Sequence, residues 1–233
     1  MSHLTREGSM NVLSLFDGMS CGQLALQRAG VKYDNYFASE IKPIAIKVTQ
    51  HNFPDTIQLG DVKNINLKQL PKIDLLIGGS PCQDFSILKT QGKGLDGDKS
   101  KLFYEYLRIL KELKPKYFLL ENVRMKKESE QELNEYLGFK GIHINSELVS
   151  YQKRPRIYWT NIPNVNVPED RNINFQDFKE TNYDICKQYE LTKVPSHIKM
   201  WNNGMGRNSD QKICANITSQ KKVYCLTRKQ DRS

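Results

Sequence analysis

The chain contains 233 residues, 38% of them hydrophobic and 26% charged, which is typical of a folded globular protein. No apolar run approaches the roughly 20 residues that a membrane-spanning helix needs, so we expect no membrane partner. The formal net charge of +9 favours a polyanionic partner, although such a charge also serves solubility. The five cysteines form no CxxC pair, which argues against zinc and disulfides and fits a reducing compartment.

Three regions are predicted along the chain. Residues 1–9 end in Gly-Ser before a second methionine and resemble an expression tag, so we expect the native start at Met10. Residues 10–165 alternate strand and helix patterns and form a predicted α/β domain. Residues 166–233 have poor hydrophobic periodicity, and their basic residues are interleaved with Trp201 and Tyr224. This composition indicates either a nucleic-acid surface or a merely soluble lobe.

The first predicted strand, Asn11–Leu15, runs into a glycine-containing turn and then a helix. The residues of interest in and just after this turn are Phe16, Asp17, Gly18, Cys21 and Gly22. A strand, a glycine turn and a helix open a nucleotide-binding α/β unit, because glycines let the backbone approach a ligand closely. The turn lacks the GxGxxG pattern, so a phosphate site is not implied and a structural turn is an equal alternative.

The next two strands lead to acidic residues. Glu40 comes about 20 positions after the glycine turn, where a carboxylate commonly binds the two hydroxyls of a ribose. The alternative is an acid that favours a helix N-terminus. Asp61 follows the strand Ile57–Leu59 and precedes Val62. It can accept a hydrogen bond from an adenine amino group or act as an ordinary turn aspartate.

The fourth strand leads to a thiol. Leu75–Ile77 is apolar without interruption, as in a strand buried on both faces, and the chain then leaves the sheet at Gly78-Gly79. The following loop presents Cys82 behind Pro81, and ligands of open α/β sheets bind outside the carboxyl ends of strands. A small buried cysteine is the alternative, because free cysteine is among the most buried residue types.

The fifth strand, Tyr117–Leu120, ends at Glu121. Consecutive parallel strands tend to be neighbours in space, so we expect Cys82 and Glu121 to face one cleft. Arg154 and Arg156 occupy alternate positions of an extended segment and are expected to point the same way, towards an anionic group or as a surface charge pair. Helices are predicted over Pro43–Asn52, Lys101–Leu113 and Lys126–Leu137, and further strands over 142–144, 147–150 and 157–160.

A thiol, a carboxyl and paired arginines beside a nucleoside pocket suit one kind of chemistry. A cysteine thiolate can add to an electron-poor carbon of a pyrimidine ring. A protonated carboxyl helps by donating to the ring nitrogen, and the neighbouring ring carbon then becomes nucleophilic enough to accept a methyl group from a sulfonium donor.

These motifs together resemble the cytosine-5 DNA methyltransferase family over about Asn11–Pro163. Each element alone is weak, but all of them in order, each at a predicted strand end, form a specific signal. The matching elements are Phe16-Asp17-Gly18 with Cys21-Gly22, Glu40, Asp61, Ser80-Pro81-Cys82-Gln83, Glu121-Asn122-Val123 and Gln152-x-Arg154-x-Arg156.

The resemblance implies a Rossmann-like methyltransferase sheet with helices on both faces, followed by a small irregular C-terminal lobe. It implies S-adenosylmethionine as methyl donor and double-stranded DNA with a flipped-out cytosine as substrate. Cys82 would attack carbon 6 of the cytosine, Glu121 would bind the ring nitrogen and amino edge, and Arg154 with Arg156 would hold the base and its nucleotide. The expected compartment is a bacterial or phage-infected cytoplasm, or a eukaryotic nucleus.

The same resemblance implies a cofactor pocket. Phe16 would pack on the adenine, Glu40 would bind the ribose hydroxyls, and Asp61 with Val62 would meet the adenine edge. The remaining pocket residues would be Asp17, Gly18, Cys21, Gly22, Pro81 and Leu102.

The chain also departs from the family pattern. It has no closing Gly-Asn pair and no Arg-Pro-Leu-Thr element, of which Tyr224–Arg228 is a faint echo. We therefore expect a truncated enzyme with an incomplete target-recognition lobe, a split enzyme completed by a second chain, or a degenerate gene. Two other functions remain open: a tRNA cytosine-5 methyltransferase, and a non-catalytic DNA-binding or regulatory module.

Overall fold

The computed structural model describes residues 10–79, 101–182 and 184–185 and the backbone of 223–224. Pro81 and Cys82, two of the predicted site residues, lie outside these ranges. The helices are α1 Cys21–Arg28, α2 Pro43–Asn52, α3 Lys101–Leu113 and α4 Lys127–Leu137. The strands are β1 Asn11–Leu15, β2 Asn35–Ser39, β3 Ile57–Gln58, β4 Leu75–Gly78, β5 Tyr117–Val123, β6 Ile142–Asn145, β7 Gln152–Lys153, β8 Pro155–Thr160 and β9 Val223–Tyr224.

Seven of these strands form one sheet in the order β3-β2-β1-β4-β5-β8-β6. The strands β3, β2, β1, β4 and β5 run parallel, and β8 pairs antiparallel with β5. All five residues of the central β1 are buried, including the polar Asn11 and Ser14, as expected of a parallel strand covered on both faces. The strand order reverses between β1 and β4, and ligands of open α/β sheets bind beside such a switch point.

The two faces of the sheet are covered by different helices. On one face, Leu13, Leu76 and Leu120 pack with Phe103 of α3 and Leu133 of α4. The opposite face buries a smaller cluster, to which Leu26 of α1 belongs. The predicted α/β sheet with helices on both faces is thus confirmed.

Close packing of α1 on the sheet depends on Gly22. A Cβ atom at this position would lie 2.5 Å from Ile77 Cδ1 and 3.2 Å from Tyr36 Oη. Real Cβ contacts are not this short, so the absent side chain lets the first turn of α1 approach β4.

The largest differences from the predicted strands lie between residues 121 and 157. The strand predicted over 147–150 is wrong, because the chain there forms a 3₁₀ turn, Ser146–Leu148. Asn145 caps this turn by accepting the N–H of Glu147, a local hydrogen bond that competes with strand pairing. In addition, β5 continues to Val123 and β8 begins at Pro155, because the two strands pair over this length.

The described residues fall into two compact units. The first contains those up to His143 together with Arg156–Asn166, and the second contains Ile144–Pro155 and those from Val167 onward. Within the second unit, β7 and β9 form a parallel pair, and Tyr151 packs on Phe175 with ring centroids 5.3 Å apart. The boundary at 165/166 stays a prediction.

Within the described ranges, no helix has the length and apolar character needed to cross a membrane.

Candidate active site

The candidate residues collect at one edge of the sheet. Because β1, β2, β4 and β5 are parallel, their carboxyl ends lie side by side. Phe16 follows β1, Glu40 follows β2 and Gly79 follows β4, while Glu121 lies near the end of β5.

The turn after β1 has an unusual backbone. Phe16, Gly18 and Ser20 all have positive φ angles, of 57°, 63° and 56°. Such a conformation is costly for a bulky residue like Phe16 and persists only where its surroundings enforce it, which is common in ligand sites. Gly18 has open space where a Cβ would point, so the backbone here is accessible to a ligand.

Hydrogen bonds of the Asp17 backbone and side chain stabilise this turn. Its N–H donates to the carbonyl of Ser39 at 3.1 Å. Its Oδ1 accepts the hydroxyl of Tyr36 at 2.9 Å, and its Oδ2 accepts the hydroxyl of Ser20. Burial, together with the neighbouring Asp17, raises the pKa of Tyr36 well above its usual range, so the hydroxyl remains a donor. The structure therefore gives Asp17 a role in shaping the turn.

Glu40 is attached to the same turn. Its Oε2 accepts the N–H of Gly18 at 2.8 Å, and its Oε1 accepts the N–H groups of Ile41 and Lys42, both at 2.9 Å. The side chain is half-buried. A carboxylate oxygen has two lone pairs, so the Gly18-facing oxygen keeps one free for a ligand hydroxyl.

Asp61 lies in a turn that is tied to β2. Ser39 donates its hydroxyl to the carbonyl of Gly60 at 2.8 Å, and Asp61 Oδ1 accepts the N–H of Lys63 at 3.0 Å. Val62 is only 3% exposed and packs in the larger core cluster. The adenine contacts of Asp61 and Val62 stay predictions.

Two further predicted pocket residues occupy the first turns of helices. Cys21 is exposed at the first position of α1, and Ser20 before it provides no side-chain cap. Leu102, in the first turn of α3, is half-buried against the larger core cluster.

The carboxylate of Glu121 has two close neighbours. Arg156 Nε lies 2.6 Å from Glu121 Oε1, and the two side chains are 17% and 34% exposed. A Cβ on Gly79 would lie 2.9 Å from Glu121 Oε2, so the carboxylate rests against the backbone where β4 ends. Cys82 comes three residues after Gly79 in the sequence. The structure thus joins Glu121, Arg156 and the beginning of the segment that carries the thiol.

Strand register explains why Glu121 meets Arg156. In the antiparallel pair, Glu121 lies opposite Tyr158 and Val123 lies opposite Arg156. Opposite residues of such a pair share a face, and so do alternate residues of one strand. Tyr158 therefore shares the face of Glu121 and Arg156. Sequence reasoning missed Tyr158, although its period-two spacing from Arg156 is a usable signal.

Arg154 belongs to the second unit, whereas Arg156 belongs to the first. Arg154 lies between β7 and β8, is exposed, and donates its N–H to Asn145 Oδ1 at 2.9 Å. The predicted common direction of the two arginine side chains stays a prediction.

The sheet order and the candidate residues at its carboxyl edge define an α/β methyltransferase fold. The solved structure of the S. pombe Dnmt2 methyltransferase is similar, with a TM-score of 0.63 at 19% identity over 84% of this chain and 67% of that one. At this identity the likeness concerns the fold alone.

The sequence profile of the C-5 cytosine-specific DNA methylase family matches residues 10–230, and the chain therefore belongs to this family. Members of the family use S-adenosylmethionine as methyl donor. The predicted family is confirmed.

Curated relatives match about half of this chain. The orphan methyltransferase M.SPRI of Bacillus phage SPR is 42% identical over 119 residues, which cover 50% of this chain and 27% of that protein. The type II methyltransferase M.NgoBV of Neisseria gonorrhoeae is 40% identical over 48% of this chain and 27% of its own length. These matches span about a quarter of the relatives. A solved structure, described as an E. coli prophage DNA modification methyltransferase, has a TM-score of 0.54 at 29% identity over 65% of this chain and 46% of that one.

Proposed function

We propose that this chain is the catalytic part of an enzyme that transfers a methyl group from S-adenosylmethionine to carbon 5 of cytosine in DNA. The observation that carries the proposal is the ion pair of Glu121 and Arg156 against the backbone of Gly79, at the carboxyl ends of neighbouring parallel strands. The type II and phage relatives associate the proposed activity with restriction–modification systems and phages.

In the proposed reaction, the thiolate of Cys82 forms a bond to carbon 6 of the flipped-out cytosine, and carbon 5 becomes nucleophilic. Glu121 binds the ring nitrogen and the amino group, and Arg156 holds the Glu121 carboxylate in place. Carbon 5 accepts the methyl group as the methyl–sulfonium bond breaks and S-adenosylhomocysteine leaves. Loss of the carbon 5 proton to water then restores the ring double bond and expels the Cys82 thiolate. Arg154 contributes by holding the nucleotide of the target base.

The residues at the ends of β1 and β2 fit S-adenosylmethionine. The open space beside Gly18 admits a ligand, Glu40 has a fixed carboxylate for ribose hydroxyls, and the half-buried ring of Phe16 offers a stacking surface. We further propose that Asp61 meets the adenine edge. When bound there, S-adenosylmethionine supplies an electrophilic methyl group beside the strand ends.

Covalent trapping tests the proposal. DNA that carries 5-fluorocytosine cannot lose a proton from carbon 5, so an active enzyme remains bonded to it. With S-adenosylmethionine present, the wild-type protein should form an adduct that survives denaturing electrophoresis, and Cys82→Ser should not. Cys186→Ser is the matched control and should form the adduct. A parallel assay with radiolabelled methyl donor on duplex DNA and tRNA identifies the polymer. Label found only in RNA, or no adduct with the wild-type protein even when a C-terminal partner is supplied, would contradict the proposal.

A further inference from the structure

The peptide of Arg154 is bound on both sides by two adjacent residues of the second unit. Its N–H donates to Asn145 Oδ1 at 2.9 Å, and its carbonyl accepts the N–H of Ser146 at 3.3 Å. Pro155 follows Arg154 and restricts its backbone to an extended conformation. The backbone of this exposed arginine is therefore fixed before any ligand binds.

Asn145 is itself held rigidly. Its Oδ1 also accepts the N–H of Glu147 at 3.4 Å, and its Nδ2 donates to the carboxylate of Glu147. The chain between Asn145 and Arg154 is braced as well, since Ser146 donates its hydroxyl to the carbonyl of Gln152 at 2.6 Å. A single amide side chain thus links the cap of a 3₁₀ turn to the backbone of Arg154.

We propose that Asn145 is a positioning residue, which acts on the substrate nucleotide only through Arg154. The inference rests on the proposed function, in which Arg154 holds a nucleotide of the DNA. An arginine side chain loses much of its rotamer freedom when it binds a phosphate. If its Cα also had to be ordered on binding, the loss would be larger, so a backbone fixed in advance favours binding.

A second asparagine in the same unit provides a matched control. Asn174 caps the 3₁₀ turn Phe175–Asp177, and its Oδ1 accepts the N–H of Gln176 at 3.1 Å. Its backbone angles, φ −101° and ψ 131°, are close to those of Asn145, φ −103° and ψ 126°. Loss of either amide removes a similar cap, but the Asn145 amide also accepts the N–H of Arg154.

The test measures affinity for duplex DNA by fluorescence anisotropy across a salt series, with calorimetric binding of S-adenosylmethionine and thermal unfolding alongside. Asn145→Ala should weaken DNA binding about tenfold and reduce the slope of log affinity against log salt by about one, as loss of a phosphate contact does. Asn145→Asp keeps the acceptor oxygen for the Arg154 N–H but places its second oxygen against the Glu147 carboxylate, so it should restore only part of the affinity. Asn174→Ala should leave DNA binding unchanged, and S-adenosylmethionine affinity should change in none of the variants.

A double-mutant cycle with Arg154→Ala decides whether Asn145 acts through the arginine. On the Arg154→Ala background, Asn145→Ala should cause no further loss of DNA affinity. Additive losses, or equal effects of Asn145→Ala and Asn174→Ala, would overturn the inference while Arg154→Ala still impairs binding. If Arg154→Ala binds normally, or if the wild-type protein binds no DNA, the inference falls together with the proposed role of Arg154.

Discussion

The carboxylate of Glu121 is constrained by its ion pair with Arg156 and by the nearby backbone of Gly79. Sequence reasoning found the residue, because an acid at the end of an apolar strand is recognisable. It could not find the pairing with Arg156, which depends on the antiparallel register of β5 and β8. Registers of this kind are set by long-range contacts that a local pattern does not contain.

Glu121→Gln tests the role of this carboxylate. The change keeps the size of the side chain but removes the negative charge that pairs with Arg156, so single-turnover methyl transfer should slow by about 10²- to 10⁴-fold while S-adenosylmethionine binding stays normal. Glu112→Gln is the control, because Glu112 also pairs with an arginine, Arg108 at 3.4 Å, on the surface of α3. A wild-type transfer rate in Glu121→Gln would remove this carboxylate from the chemistry.

Glu40 combines a structural and a proposed binding role. Its carboxylate accepts three backbone N–H groups, so Glu40→Ala should lower the free energy of unfolding by about 1 kcal/mol. Glu40→Gln keeps one acceptor oxygen and should be more stable than the alanine variant. Both should weaken S-adenosylmethionine binding at least about tenfold in calorimetry, because the ribose loses its carboxylate. Unchanged affinity in both variants would exclude Glu40 from the cofactor site.

Two buried tyrosines should respond in opposite ways to loss of the hydroxyl. Tyr36 donates to Asp17, so Tyr36→Phe should destabilise the fold by about 1–2 kcal/mol. The Tyr106 hydroxyl is buried without a hydrogen-bond partner among the described residues, so Tyr106→Phe should be neutral or stabilising by about 1 kcal/mol. Denaturant unfolding of both variants measures the difference. A clear loss of stability in Tyr106→Phe would show that the Tyr106 hydroxyl makes a stabilising hydrogen bond, contrary to this prediction.

Burial also raises the pKa of Tyr106 well above its ordinary value of 10.0. The unfolded chain then loses this proton near pH 10 while the folded chain retains it, so stability is fully present below that pH and falls as the pH rises above it. Tyr106→Phe should flatten this alkaline decline, which pH-dependent denaturant unfolding would show.

At the scale of elements, helices were easier to predict than strands. The structure confirms α2 and α3 at their predicted bounds, since a proline start and an amphipathic stripe are local signals. The misassigned segment at 147–150 follows from Asn145, whose side chain caps a turn in a stretch that contains Leu148 and Val149. Apolar residues in short segments do not distinguish a strand from a turn.

The candidate site shows the same difference between features that a local sequence pattern predicts and features that depend on packing between elements. Residue types at strand ends indicated Glu40 and Asp61, and both lie in turns at the predicted edge. The positive φ of Phe16 and the core position of Val62 follow from packing between elements, which the sequence pattern does not reveal.

The contact of α1 with β4 can be tested by a double-mutant cycle. Gly22→Ala would place a Cβ 2.5 Å from Ile77 Cδ1, and it should destabilise the fold by about 1–3 kcal/mol despite the better helix propensity of alanine. Ile77→Val removes that Cδ1 atom, so the combined variant should be more stable than the sum of the two single changes predicts. Additive destabilisation in denaturant unfolding would show that the clash lies elsewhere.

At the scale of the whole molecule, the net charge of +9 matters for a polyanionic substrate. Binding to duplex DNA releases condensed counterions, so affinity should fall at least about tenfold between 50 and 200 mM salt. Fluorescence anisotropy measures this dependence, and calorimetric binding of S-adenosylmethionine over the same range should change much less. An affinity for DNA that does not depend on salt would show that the basic residues do not contact the phosphates.

The parallel pair of β7 and β9 has a consequence for synthesis. Among the described residues, Gln152 and Lys153 have their strand partners at Val223 and Tyr224, about 70 residues later in the sequence. During translation the first unit can therefore fold before β9 has been synthesised. Until then β7 lacks its β9 partner, and chaperones or other nascent chains can bind along this strand.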